Sequence, residues 1–164
     1  MALASCGGST SDIAQATYTS NGSQSCRPGV TFFTTFSGFT TTSSQPVQVT
    51  GFRVLGADPG LRVVGVYAIA ANEDRSRIGM SAEYFVKKYR RPLTYYPPSR
   101  AVLYPATQNP QWYFLIEVRA TKVGDHWTSG VEVSDASGSQ DFPDRIHIRT
   151  VAVEPHPDEC PADI

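Results

Sequence analysis

The chain has 164 residues and a formal net charge of −1, which suits one domain and gives no overall electrostatic attraction to nucleic acid. Charged residues make up 18% and aromatic residues 11%, and Ser, Thr, Gly and Pro are abundant, a composition typical of β-rich exported domains. No apolar run reaches the roughly 18 residues that a membrane-spanning helix needs.

The first part of the chain differs in composition from the rest. Residues 1–28 are poor in apolar side chains and rich in Ser, Thr, Gly and Gln, so we predict a flexible N-terminal tether there. Residues 29–164 are predicted to form the folded β domain. Within them, residues 72–110 are irregular and rich in proline, tyrosine and basic side chains, which predicts a long insertion, and residues 154–164 are predicted to be an irregular tail.

Strand patterns begin directly after the predicted tether. Residues 30–36 are β-branched and aromatic, and the apolar positions of residues 47–54 change phase at Gly51, which predicts a β-bulge. A turn at residues 56–60 leads into the almost continuously apolar run 61–70. This pattern predicts a hairpin near the middle of a sheet, whose second strand is a central strand with both faces at least partly covered.

Alternation with a period of two returns near the C-terminal end of the insertion. It extends through residues 112–121, 127–134 and 145–149, with turns between these segments. No helical pattern alternates with the strands, which argues against a parallel α/β sheet. The sequence therefore predicts an all-β fold, an immunoglobulin-like antiparallel β-sandwich of about seven strands, with a small barrel as the alternative.

The three cysteines are Cys6, Cys26 and Cys160, and none lies in a CxxC pair, which argues against zinc ribbons and thioredoxin-type sites. Cys26 precedes the first strong apolar run and Cys160 follows the last one. We therefore predict a disulfide that joins the two ends of the domain, with two free thiols as the alternative. Closing so long a loop would contribute roughly 4–5 kcal/mol through the entropy of the unfolded chain.

The segment Leu3-Ala4-Ser5-Cys6 resembles the lipobox of bacterial lipoproteins, in which an apolar residue and two small residues precede the cysteine that receives lipid. The resemblance implies lipidation at Cys6, a polar tether after it, and an extracytoplasmic, membrane-anchored or cell-surface location. With its β pattern, the chain looks like the soluble sandwich domains of Gram-positive, especially actinobacterial, surface lipoproteins. Only two residues precede Leu3, so the basic and apolar segments of that family's signal are not in this sequence.

No catalytic arrangement is predicted. The sequence has no GxSxG motif, and the histidines are predicted to lie apart at the surface: His126 in a turn, His147 on the solvent face of a strand and His156 in the tail. Residues 156–160 hold three types of metal ligand, but we interpret them as a solvated tail. We predict no metal site and no cofactor.

The most informative segment is residues 75–104, which hold seven of the 14 Lys and Arg residues and a single acid. Cationic side chains interleaved with tyrosines favour a surface that contacts anions and also stacks or donates hydrogen bonds. The alternative is a structural insertion whose tyrosines pack on the sandwich. The predicted binding residues are Lys87, Lys88, Tyr89, Arg90, Arg91, Tyr95 and Tyr96.

These patterns favour a non-enzymatic extracytoplasmic binding or structural accessory domain of a membrane-tethered lipoprotein. Its expected partner is a protein or an anionic cell-envelope component, such as a lipid head group or glycopolymer, and not nucleic acid. One alternative is a carbohydrate-binding module that stacks sugars on Tyr95, Tyr96 and Trp127. Another is a hydrolase whose site forms only in three dimensions. The sequence does not indicate an oligomeric state.

Overall fold

A computed structural model of the chain describes residues 11–15, 24–26, 28–29, 31–36, 38–70, 94–106, 112–143 and 145–152. This part of the chain is built from short strands, and its helical content is one turn of 3-10 helix at Pro98–Arg100. The predicted all-β class is confirmed. Among the described residues, no helix has the length and apolarity that crossing a bilayer requires.

Thirteen strands lie among the described residues, more and shorter than the sequence predicts. In chain order they are β1 Ile13–Gln15, β2 Gln24–Cys26, β3 Thr31–Phe36, β4 Phe39–Thr41, β5 Val47–Gln48, β6 Gly51–Leu55, β7 Leu61–Ala70, β8 Val102–Leu103, β9 Trp112–Ala120, β10 Gly124–Trp127, β11 Gly130–Ser134, β12 Ser139–Phe142 and β13 His147–Thr150.

The longest strands form a three-stranded antiparallel sheet in the order β3-β9-β7. Its central strand is β9, whose residues Phe114, Ile116 and Val118 are completely buried. β7 pairs with β9 from Leu61 opposite Ala120, with a shift in register after Val63. The prediction that β7 is the central strand is therefore wrong, because β9 holds that place.

The predicted hairpin between residues 47–54 and 61–70 does not form. β6 pairs with β11 in the sheet β12-β11-β6, whereas β7 pairs with β9, so the turn at residues 56–60 carries the chain from one sheet to another. Gly51 marks a change of pairing partner, since β5 before it pairs with β8 and β6 pairs with β11. The irregular register that we predicted at Gly51 lies instead in β7.

A third three-stranded sheet has the order β10-β13-β2. β10 and β13 are antiparallel, with Trp127 opposite His147, but β13 and β2 are parallel, with Ile148 beside Gln24. The described strands are therefore not purely antiparallel. The specific immunoglobulin-like arrangement stays a prediction.

The beginning of the chain is not entirely a tether. β1 pairs with β4 in a two-stranded sheet, and the Ile13 side chain is buried in the core. β2 pairs with β13, as described above. The predicted tether 1–28 is therefore wrong for residues 13–15 and 24–26, which are integrated into sheets.

One aromatic cluster connects these sheets. Phe39 of β4 contacts Phe114 of β9 edge-on, with ring centroids 5.7 Å apart, and lies 4.9 Å from the ring of Phe142 in β12. Phe52 of β6 stacks on Phe114 at 4.7 Å. Rings from four strands in three sheets thus share one core, in which Phe39, Phe114 and Phe142 are buried and Phe52 is partly buried. Full burial of such a ring stabilises a fold by roughly 2–3 kcal/mol.

A buried carboxylate fastens the first described residues to the body of the domain. Asp135 Oδ2 accepts hydrogen bonds from Ser11 Oγ at 2.7 Å and from the Asp12 amide at 3.1 Å. Its Oδ1 accepts the amides of Ser137 at 2.7 Å and Gly138 at 3.0 Å in the turn between β11 and β12. Burial by itself would raise the pKa of Asp135, but these hydrogen bonds outweigh it and lower the pKa to about 2.

We predict that Asp135 makes folding stability depend on pH in the acidic range. Its carboxylate stabilises the fold fully above the ordinary pKa of 3.8, and this contribution is lost as the pH falls through the folded-state pKa of about 2. The stability difference between the wild type and Asp135→Asn should therefore shrink by about 2 kcal/mol on acidification. Urea unfolding at a series of pH values measures it.

The matched control is Asp141→Asn, because Asp141 is exposed on the adjacent strand β12. This variant should change stability by less than about 0.5 kcal/mol across the same range. A pH dependence in Asp135→Asn equal to that of the wild type would contradict the assignment.

Candidate functional site

The cationic part of the predicted binding surface lies outside the described residues. The same holds for Cys6 and Cys160, while Cys26 of β2 is described by its backbone alone. Lipidation and the disulfide therefore stay predictions. The predicted binding residues outside the described part are Lys87, Lys88, Tyr89, Arg90 and Arg91.

Tyr95 and Tyr96 lie among the described residues, and their rings contact different neighbours. The backbone of Tyr96 exchanges two hydrogen bonds with Ala68 of β7, at 2.8 and 2.9 Å, and its half-buried ring meets Trp112 edge-on with centroids 5.6 Å apart. The ring of Tyr95 is exposed and contacts Tyr67 at 5.6 Å. Since Tyr67 and Trp112 belong to different packing clusters, the two tyrosines do not form one stacking platform.

The ring pair of Tyr96 and Trp112 forms one wall of an open cleft of about 390 Å³. The remaining lining residues come from β5, β8 and the 3-10 turn. Pro97 precedes this turn in an extended conformation and Pro98 is its first residue. Gln48 Nε2 donates to the carbonyls of Ser99 and Ala101, the latter at 2.9 Å. The cleft is lined by Gln48, Tyr96, Ser99, Arg100, Val102 and Trp112.

The charged group of the cleft is the guanidinium of Arg100. Arg100 is exposed, and its side chain makes no ion pair with any residue that the structure describes. A guanidinium binds carboxylate or phosphate through two parallel hydrogen bonds, and adjacent aromatic rings offer stacking surface. Because both donors of the Gln48 amide are used by the turn, Gln48 can offer a ligand only its acceptor oxygen.

Part of this cleft is predictable from the sequence. Tyr96 is a predicted binding residue, and Arg100 belongs to the basic segment 75–104. Gln48 and Trp112 were missed as cleft residues because β5 and β9 come from distant parts of the chain. The half-exposed indole at the first position of an otherwise buried strand is the signal that could have indicated Trp112.

A second group of polar residues surrounds His126, which is buried in β10 with 5% of its surface exposed. Its Nδ1 lies 3.1 Å from Asp58 Oδ1, and its Nε2 donates to the Lys122 carbonyl at 2.8 Å. Asp58 also accepts the amides of Gly60 and Trp127. The prediction that His126 is a surface histidine in a turn is therefore wrong, because the turn at residues 56–60 folds over it.

Asp58, His126 and Thr150 follow one another as the acid, base and nucleophile of a catalytic triad do, but a substrate cannot reach the hydroxyl. Thr150 Oγ1 lies 3.4 Å from His126 Nε2, but the hydroxyl also lies 2.6 Å from the Lys122 carbonyl, to which it donates. Thr150 is 2% exposed, so no substrate reaches it. A methyl group at Gly60 would collide with the imidazole, which shows how tightly the ring is enclosed. We conclude that Asp58, His126 and Thr150 join β10, β13 and the 56–60 turn structurally.

The carboxylate of Asp58 is held in its charged form. Burial acts to raise its pKa, but hydrogen bonds from the Trp127 amide, the His126 ring and the Gly60 amide outweigh burial, and the pKa is lowered.

A second exposed aromatic side chain among the described residues, Trp127, lies on the outer face of β10 and β13. Trp127 is 45% exposed, and its indole stacks on the His147 ring with centroids 3.8 Å apart and planes 12° apart. His147 Nε2 lies 2.7 Å from Asp125 Oδ1. Trp127 was singled out from the sequence as a stacking residue, but His147 as its support was not.

Within the described ranges, no group of three or more His, Cys, Asp or Glu side chains is placed to hold a metal ion. Comparison of the chain with known protein families, curated proteins and solved structures finds no match.

We predict that His126 supports the fold and that His147 does not. Replacing His126 by Ala removes a buried ring and leaves Asp58 without one of its donors, so stability should fall by about 2–4 kcal/mol. The control His147→Ala, at a half-buried position on the outer face, should cost less than about 1 kcal/mol. Urea midpoints at an unchanged slope measure both values, and equal losses in the two variants would contradict the structural role of His126.

Proposed function

We propose that this chain is a non-enzymatic binding domain that holds an anionic group of its partner in the cleft beside Arg100. The observation that carries the proposal is a guanidinium without an ion pair among the described residues, next to the edge-to-face rings of Tyr96 and Trp112. A buried ion pair would have used the charge of Arg100 for stability. An open cleft instead leaves this charge to a ligand.

The geometry of the cleft supports a partner with an acidic group next to an apolar or ring-shaped part. The anion would meet Arg100, and the neighbouring part would lie against Trp112. The turn at Pro98–Arg100 is fixed by the Gln48 amide before any ligand binds, which lowers the entropic cost of binding. A protein side chain and an anionic envelope component both satisfy this description, and we favour the envelope component.

In this proposal the domain acts outside the cytoplasm. The lipobox-like segment that ends at Cys6 supports a lipid anchor in the membrane, and the positions of Cys26 and Cys160 support a disulfide between the ends of the domain. The immunoglobulin-like arrangement of the sheets belongs to the same proposal. A hydrolytic role has no support from the described histidines, since His126 is enclosed and His147 is stacked on Trp127.

Replacing Arg100 by Gln should weaken the binding of polyanions. We expect immobilised polyphosphate and polygalacturonate to bind the wild type in a salt-dependent way, and Arg100→Gln to lose about tenfold in affinity and part of the salt dependence. Surface plasmon resonance at several salt concentrations measures both quantities, with neutral dextran as the blank.

The matched control is Arg62→Gln. Arg62 lies on β7, is exposed and makes no ion pair with a described residue, so its replacement removes one charge away from the cleft. Its affinity should stay within about twofold of the wild type. An equal loss in the two variants would mean that only net charge matters, and the cleft would then not be the site.

The native, membrane-extracted protein should have a mass that begins at a diacylglyceryl-modified Cys6. A non-reducing peptide map should contain Cys26 linked to Cys160. An unmodified start at Met1 with three free thiols would contradict both the anchor and the compartment.

A further inference from the structure

The outer face of β10 and β13 carries an exposed indole that is fixed in place. The Trp127 ring is stacked on His147, which is in turn held by Asp125 at 2.7 Å. The Trp127 backbone is fixed as well, because its amide donates to Asp58 Oδ2 at 2.9 Å and its carbonyl accepts the Asp58 amide at 3.0 Å. An aromatic ring that is both exposed and immobile loses little entropy when a flat ligand stacks on it.

Cationic side chains of the segment around β13 lie on both sides of this ring. In the extended segment around β13, Ile146, Ile148 and Thr150 point into the core. Arg145, His147 and Arg149 alternate with them on the outer face. The two arginines are therefore separated by roughly 13 Å along the strand, with the Trp127–His147 stack between them.

The charges of these arginines are not used by the described part of the protein. Both side chains are exposed, and neither makes an ion pair with a described residue. The carboxylate on the same face, Asp125, is already paired with His147. The face thus presents a fixed aromatic platform with a guanidinium on each side. Its carboxylate, Asp125, lies opposite Arg149 in the strand pair and is hydrogen-bonded to His147.

A linear chain of acidic sugars matches this pattern better than simpler ligands do. The apolar face of a pyranose ring stacks on an indole, and acidic groups on the neighbouring units reach the guanidinium on each side. A neutral sugar would leave both arginines without a partner. A free anion would leave the indole uncovered.

We propose that the outer face of β10 and β13 is a binding site for an acidic glycan, with Trp127 as the stacking platform and Arg145 and Arg149 as the anion contacts. This site shares no residue with the cleft beside Arg100 and does not rest on the function proposed for that cleft. His147 and Asp125 are positioning residues, because they hold the indole.

The two tryptophans of the chain allow the two sites to be observed separately. Trp112 lines the cleft and Trp127 lies on the outer face, so Trp112→Phe leaves an indole that reports on the outer face, and Trp127→Phe leaves one that reports on the cleft. The full chain is titrated with three acidic polymers, namely polygalacturonate, a sulfated glycan and a phosphate-bearing mannan. Methyl-esterified polygalacturonate is the matched neutral ligand, and inorganic phosphate is the anion without a sugar.

We expect the Trp127 fluorescence in Trp112→Phe to change with at least one acidic polymer, and with neither the methyl ester nor inorganic phosphate. Replacing both Arg145 and Arg149 by Gln should weaken that binding at least about tenfold, whereas Arg62→Gln should not. Calorimetry with the arginine variants of the otherwise wild-type chain gives the same answer if Trp112→Phe folds poorly.

No response of Trp127 to any acidic polymer, or an equal response to the methyl ester, would overturn the inference. So would affinity that is unchanged in the double arginine variant. A response only of Trp112, lost in Arg100→Gln, would overturn this site and leave the proposed function standing. A response only of Trp127, insensitive to Arg100→Gln, would support this site and count against the cleft.

Discussion

The described structure depends on the contact between the rings of Phe39, Phe52, Phe114 and Phe142. Short strands make few hydrogen bonds each, and the small sheets they form could not be stable alone. The four rings come from strands that belong to different sheets, and they bring those sheets together around one core. Polar contacts add to this at the periphery, where Asp58 and His126 join the 56–60 turn to β10, and Asp135 joins Ser11 to the turn after β11.

The features of the fold that the sequence predicts correctly are those that depend on local interactions. Alternation over residues 112–121 gave β9 almost to the residue, because period-two patterning directly reflects the two faces of a strand. The predicted hairpin from residues 47–70 was wrong because pairing partners are chosen over long distances, and no local pattern distinguishes β9 or β11 as the neighbour. β1 was missed because three residues with one buried apolar side chain, Ile13, do not produce a period.

The same distinction applies to the candidate sites. Tyr96, Arg100 and Trp127 have residue types that suggest binding wherever they occur, and each lies at one of the two sites. Their supports could not be predicted, because Gln48 reaches the 98–101 turn from far along the chain and His147 reaches Trp127 across a strand pair. His126 was misassigned for a related reason: its burial depends on a turn more than 60 residues before it, since Asp58 lies 68 positions away. A local sequence pattern does not show which distant segments will pack over a residue and bury it.

The hydrogen bond between Ser11 and Asp135 spans 124 positions of the sequence, and β2 is completed by its pairing with β13 near the end of the described chain. Contacts of such large separation carry the highest loop-closure entropy, so they form late in folding. A chain emerging from the ribosome can pair β1 with β4 early, but it holds β2 without its partner until β13, the last of the described strands, arrives. The sheet β10-β13-β2 is therefore completed at the end of folding, and the outer face that carries Trp127 belongs to this late-forming sheet.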